Sequence, residues 1–221
     1  MEDIEAIALL QDPVRRRLYE FVAARGREVG RNEAAEAVGV QRTLAAFHLD
    51  RLAEAGLLEV GSRRLTGRSG PGAGRPAKVY RRAAVELGVS VPARDYGTAA
   101  ELLAQAAEAV GLDMEVQDAA RRRGRALRGP GESCGDLDAV GEVLARRGYE
   151  PVREETEEGA VIRMRNCPFH AVAEQFPPLV CGMNLALLEG LVEGSDGVRV
   201  RMDPRPGWCC VAAVANKNNE D

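Results

Sequence analysis

The sequence predicts an α+β protein in three consecutive pieces. A helix-rich N-terminal domain covers 1–96, a helical middle segment 97–135, and a C-terminal α+β domain 136–221. Three observations lead there. Apolar residues recur at helical spacing through the first 55 residues, then give way to two short strand-like runs around a glycine- and proline-broken stretch. Positive charge gathers in the same region: residues 1–96 carry 16 basic against 13 acidic side chains, and residues 97–221 carry 14 against 21. Four of the five cysteines lie beyond residue 166, among alternating apolar runs and glycine stops.

Composition narrows the possibilities further. The chain has 221 residues, 45% apolar and 29% charged, which is enough for one large domain or two small ones with a real core. No run approaches the roughly 20 apolar residues that span a bilayer. The acidic start, MEDIEAIALLQDP, lacks the basic region of a secretory signal, so a cytoplasmic protein is expected. An odd number of cysteines in that reducing compartment argues against a disulfide framework and for metal ligation or redox chemistry. The net charge of −4 disfavours a nucleic-acid partner on average. The local field says otherwise, because Ser62 to Arg82 holds seven basic residues and no acidic one.

The N-terminal elements follow from their punctuation. A first helix is expected over Glu2–Leu10. Asp12-Pro13 supplies an N-cap and a first-turn proline for a second helix to Arg25, with Val14, Leu18, Phe21 and Val22 on one face. Asn32 is expected to cap a short helix through Ala37, ended by Gly39. A longer helix runs from Gln41 to Ala55, with Leu44, His48, Leu49 and Leu52 inward. A short helix, a glycine turn and a longer helix form a helix-turn-helix signature. Leu57–Val60 and Lys78–Arg81 read as strands flanking the loop SRRLTGRSGPGAGRPA, which completes a winged helix. Gln41, Arg42, Thr43 and Ala46 would then face the bases of double-stranded DNA in the major groove. Arg63, Arg64, Arg68, Arg75 and Lys78 on the wing would meet phosphates or a minor groove.

The run QRTLAAFHLDRLAEAGLLEV followed by GRPAKVYRR resembles the ArsR/DeoR-type winged-helix transcription regulators over roughly Glu2 to Arg82. The resemblance implies a DNA-binding regulator.

In the middle segment, Thr98 to Glu101 reads as a capping box opening a helix to Val110. Leu102, Leu103, Ala106 and Val110 form its packing face. A second helix spans Val116–Leu127 and carries Arg121, Arg122 and Arg123. The pair serves either a homodimer on an inverted-repeat operator or packing within the domain.

Beyond the linker that holds Cys134, Asp136 is expected to cap a helix with Leu137, Val140, Val143 and Leu144 inward. Strands are expected over Tyr149–Glu154, Ala160–Arg165, Gly197–Met202 and Cys209–Val214, and helices over Pro168–Phe176 and Pro178–Val192. In Ala160–Arg165, Ile162 and Met164 alternate with Arg163 and Arg165. This reading places Cys167 and Cys181 at helix N-termini, where the dipole favours thiolate, the metal-binding form. Alternation on a strand sends Cys209 and Cys210 to opposite faces, so one of them joins a given site unless the strand starts with a bulge. Spacing favours Cys209. Three thiolates from separate elements suit zinc or an iron–sulfur cluster, and His170 offers the fourth ligand of a Cys3His zinc site. Buried core cysteines are the plain alternative.

NCPFHAVAEQFPPLVC followed by a strand-borne cysteine resembles the iron–sulfur cluster-binding Suf repressor family. The resemblance implies that Cys167, Cys181 and Cys209 hold an iron–sulfur cluster, of the 4Fe-4S type. The doublet Cys209-Cys210 departs from that pattern. The expected function is transcriptional regulation through a redox- or iron-sensing cluster, with a zinc-bearing regulator as the rival. An enzyme is disfavoured, since the chain has no C-x-x-C and two histidines.

Overall fold

Asp12 accepts the Arg15 backbone N–H at 2.8 Å, and Pro13 opens the helix that follows. In the computed structural model, residues 2–63, 76–128, 135–157, 159–195 and 197–215 are described, and the chain divides into two units, Met1–Arg94 and Asp95–Asp221. The protein is α+β, and no helix among the described residues is long and apolar enough to cross a membrane.

The first unit contains α1 (Glu2–Leu9), α2 (Pro13–Arg25), β1 (Val29–Gly30), α3 (Arg31–Val38), α4 (Arg42–Glu54), β2 (Leu58–Arg63) and β3 (Ala77–Arg82). Helix α3 ends in a left-handed glycine, Gly39, after which the Val40 N–H returns to the Ala35 carbonyl at 3.0 Å. Its start differs from expectation: Gly30 is the cap, and Asn32 lies inside the helix. The two-residue β1 has no sequence signal of its own. It exists because β3 offers it a pairing edge, giving an antiparallel sheet in the order β1-β3-β2. Leu18 and Val22 of α2, Ala34 and Ala35 of α3, Leu49 and Leu52 of α4, and Tyr80 of β3 fill the core.

One polar knot ties three of these elements. The Asp50 carboxylate on α4 accepts from the Tyr80 hydroxyl at 2.7 Å, from Arg31 at 2.6 Å and from Lys78 at 3.1 Å. Arg31 also donates to the Tyr80 oxygen at 2.8 Å. Burial pushes the Tyr80 hydroxyl up to about 12, so it stays a donor to Asp50. Burial opposes the charge on Asp50, but the three donors outweigh it and hold the carboxyl below its ordinary range.

The second unit contains α5 (Tyr96–Val110), α6 (Asp113–Arg128), α7 (Leu137–Ala145), β4 (Pro151–Thr156), β5 (Gly159–Met164), α8 (His170–Gln175), α9 (Pro177–Val192), β6 (Val198–Met202) and β7 (Val211–Ala215). The described part of the 97–135 stretch belongs to this unit. Its four strands form an antiparallel sheet in the order β4-β5-β7-β6. Ile162, Met164, Val211, Ala213 and Val198 share a core with Leu137, Val140 and Leu144 of α7 and with Leu188, Leu191 and Val192 of α9. Asp136 caps α7 as expected, accepting the Ala139 N–H at 3.0 Å. The cap of α5 is Asp95, which accepts the Thr98 N–H at 2.9 Å, in place of the expected Thr98–Glu101 box. Arg163, which alternates with Ile162 and Met164 along β5, is 3% exposed between Glu154 and Asp203.

Helices α6 and α9 cross backbone to backbone. A Cβ on Gly124 would stand 2.1 Å from the Leu187 carbonyl oxygen, and one on Gly190 would stand 2.1 Å from that of Arg121. Arg121 reaches Glu189 at 2.7 Å, and Arg125 pairs with Glu193 along the same seam. Helix α5 is turned the other way. Ala104 and Ala107 are half-buried, whereas Leu102, Leu103 and Val110 are 61%, 72% and 70% exposed.

Two outcomes follow from these contacts. Gly190→Ala should lower unfolding stability by about 1–3 kcal/mol, since the new methyl meets backbone that cannot yield locally. Chemical denaturation checks this, and an unchanged midpoint would mean the helices separate without cost. Asp50→Asn should cost about 1–2 kcal/mol near neutral pH, a charged-hydrogen-bond value discounted for partial exposure. Because the folded-state pKa of Asp50 is depressed, its contribution is present above the unfolded value of 3.8 and is lost as pH falls through the folded value. The gap between wild type and Asp50→Asn should therefore close in acid.

Candidate metal centre and nucleic-acid interface

Three separate segments deliver four thiols to one place in the second unit. Cys167 lies in the turn after β5, held by two neighbours. The His170 N–H bonds the Cys167 carbonyl at 3.0 Å, and the Asn166 side chain donates to the Gly148 carbonyl at 2.6 Å. Helix α8 starts only at His170, so Cys167 precedes the helix instead of capping it. Its sulfur nonetheless accepts a backbone N–H, that of Phe169. Helix α9 starts at Pro177, which moves Cys181 just past the first turn. The helix-dipole argument for these two thiols is therefore corrected: a turn amide serves Cys167, and Cys181 sits too deep along α9 to face the free N–H groups.

The doublet departs from the strand expected over Cys209–Val214, since β7 starts at Val211. The ladder pairs Arg163 with Ala212, which would set Met164 opposite Val211. The Cys209 N–H instead bonds the Met164 carbonyl at 2.8 Å, while the Cys210 carbonyl keeps register with β6 by accepting from Asp203 at 2.7 Å. The chain is thus compressed just before β7, and alternation does not apply. Both sulfurs join the site. Cys209 contacts Cys167 and Cys210, and Cys210 contacts Cys181. Arg165 stacks over Trp208, 5.6 Å from its centroid, and so fastens the turn after β5 to the approach of the doublet.

The electrostatics single out Cys209. Hydrogen bonds from the Cys167 and Cys210 thiols, supported by the Val211 N–H and the Asn184 amide, overcome burial and bring Cys209 down to about 3. Cys167 is pushed up, because its proton is held on the Cys209 sulfur and its site is buried. Cys210 is pushed up for the same two reasons. Burial raises Tyr149, reinforced by the negative charge it would meet at the cysteines. Tyr149 donates to Asn184 at 2.6 Å, and Asn184 donates to the Cys209 sulfur at 3.3 Å.

The thiols form a chain of pairwise contacts, from Cys167 to Cys209 to Cys210 to Cys181. No group of three or more His, Cys, Asp or Glu among the described residues is pre-arranged around an ion. The donor set itself, four cysteine sulfurs, fits the soft metals and clusters that thiolates bind. All four are free of disulfides. His170 is not brought in: its side chain is 67% exposed and faces Glu174 at 3.3 Å on its own helix. Cys134 lies outside the described residues.

In the first unit, Gln41, Arg42 and Thr43 are exposed at the start of α4, and Ala46 is half-buried beside them. The inward stripe of α4 is Ala45, His48, Leu49 and Leu52, so the expected inward Leu44 is corrected to a surface position. Leu44 and Phe47 are exposed on the outer face. Phe47 was legible as an apolar residue three positions after Leu44, off the core stripe. Of the basic residues expected to meet phosphates, Arg63 is exposed 3.9 Å from Glu28, and Lys78 is engaged by Asp50. Arg64, Arg68 and Arg75 lie outside the described residues.

No family model matches this chain, and no curated protein matches it either.

The geometry separates the two candidates for a fourth ligand. After reconstitution with zinc, or with iron and sulfide, Cys210→Ser should lower the metal bound per chain as Cys209→Ser does. His170→Ala should leave it unchanged. Elemental analysis decides, and loss of metal in His170→Ala would restore the histidine.

Proposed function

We propose that the protein is a DNA-binding transcription regulator. In this reading the first unit is a winged helix-turn-helix, and the second senses redox or iron state through a cluster held by Cys167, Cys181, Cys209 and Cys210. The observation that carries it is the gathering of four thiols from a turn, a helix and a strand approach into one contact chain. Three of the four are only partly buried, so the site is reachable by the oxidants or metal a sensor must meet. A cluster bound there would supply a redox couple. The reading assigns the cysteines to sensing, in a cytoplasmic protein, and gives the chain no enzymatic role.

The DNA side is supported by the order of elements. Helices α3 and α4 meet across the Gly39 turn, and β2 and β3 follow as an antiparallel pair. Gln41, Arg42 and Thr43 stand free at the N-terminal end of α4, where a reading helix meets base edges in the major groove of double-stranded DNA. A homodimer on an inverted-repeat operator is supported by α5, whose leucines point away from its own unit.

The chain's own residues supply the coupling. Holding a shared group would fasten Cys181 of α9 to the segments that follow β5 and precede β7, which carry the other three cysteines. Helix α9 holds α6 through the glycine crossing, and α6 follows α5 directly. A change at the cysteines would therefore bias the apolar face proposed for dimer contact, and with it the spacing of two reading helices.

A zinc reading has one observation in its favour: direct contact between neighbouring sulfurs suits the compact four-thiolate shell of a single ion. Protein purified without air should be brown and contain iron and sulfide if the cluster reading holds, and colourless with zinc if it does not. Cys167→Ser should lose the metal and change operator affinity together. Unchanged affinity in the metal-free variant would sink the sensor reading.

A further inference from the structure

We propose that Asn184 is a potential-setting residue for the cysteine site, and that Tyr149 positions it by holding its amide with an N–H on the Cys209 sulfur. This rests on the cluster reading above.

Asn184 is fully buried on α9, where Leu188, Leu191, Val192 and Ala186 share its concealment. An amide in such a place is costly unless both its halves are bonded. Here both are. Its Oδ1 accepts the Tyr149 hydroxyl at 2.6 Å, and its Nδ2 donates to the Cys209 sulfur at 3.3 Å. Tyr149 is itself 4% exposed. The Cys209 sulfur, an acceptor to its other neighbours, takes the amide N–H, and the Tyr149 hydroxyl donates to the oxygen left on the other side. Turned over, Asn184 would aim carbonyl lone pairs at an electron-rich sulfur. The line Tyr149–Asn184–Cys209 thus gives one sulfur a directed donor inside the buried core, where hydrogen bonds are stronger than in water.

Other groups face the same sulfur: the Cys167 and Cys210 thiols and the Val211 backbone N–H. The thiols would become ligands, and a backbone amide cannot be removed by exchanging a side chain. Asn184 is therefore the donor that can be tested without touching a ligand. Hydrogen bonds to ligand sulfurs are among the factors that set iron–sulfur potentials. A reducing electron puts added negative charge on those sulfurs. An N–H stabilises that form more than the oxidised one, so losing it should lower the midpoint potential.

The experiment is an anaerobic redox titration of the full, cluster-loaded chain, with iron content and thermal unfolding measured alongside. Asn184→Leu, with the same branching of side-chain heavy atoms and without a donor, should shift the midpoint downward at unchanged iron per chain. Tyr149→Phe, which keeps Asn184 but releases its orientation, should shift it the same way by less. If Asn184→Leu does not fold, Tyr149→Phe alone decides. A purely structural asparagine would lower thermal stability and leave the midpoint where it was, and that result overturns the proposal. A wild-type protein holding zinc and no iron overturns it as well, and metal analysis tells that failure of the cluster reading apart from an unmoved potential.

Discussion

Gly124 and Gly190 meet where α6 and α9 have room for backbone and nothing else. The second unit is organised around that crossing. Helix α9 is its central element: it packs on the sheet through Leu188, Leu191 and Val192 and carries both Cys181 and Asn184. With side chains at the crossing, α6 would stand off by the thickness of a methyl group. The Arg121–Glu189 and Arg125–Glu193 pairs would then lose their seam. Close approach here is a steric condition, and the ion pairs alongside it are exposed enough to add register more than energy.

Each unit also contains a polar network, and the two differ in kind. Around Asp50, a carboxylate gathers Arg31, Lys78 and Tyr80 at the edge of the core, and the result is a brace between α3, α4 and β3. Around Cys209, the acceptor is sulfur and its donors include two other thiols. The first network is complete as it stands. The second concentrates ionisable sulfur in one place, and an all-carbon core would avoid the desolvation this involves. That expense is the physical reason to read the cysteines as a site and not as filling.

Several features decided within one or two turns of chain were legible in the sequence, although the caps of α3 and α5 fell on Gly30 and Asp95 and not on Asn32 and Thr98. Asp12-Pro13, Gly39 and Asp136 act on groups three or four residues away, so their helices start or stop near where residue type places them. The strands β4 to β7 were legible as apolar runs between stops, to within a few residues. Cys167, Cys181 and the doublet were also visible as candidates, because thiols are among the few side chains that bind soft metals.

The tertiary structure decided what depended on distant partners. Arg163 is charged and nevertheless buried, because Glu154 and Asp203 arrive from two other segments. Leu44 fits an inward stripe on paper but faces out, because the core contacts of α4 centre on Ala45, Leu49 and Leu52. His170 stands three residues from Cys167 in sequence yet bonds its own helix, while Cys210 joins through a compression that only the Met164 and Asp203 contacts reveal. Asn184 gave no signal in the chain at all. Sequence by itself determined which residues could cap, break, alternate or bind. Packing determined which of them meet, since a contact between residues tens of positions apart is fixed by the whole set of elements closing together and not by any local spacing.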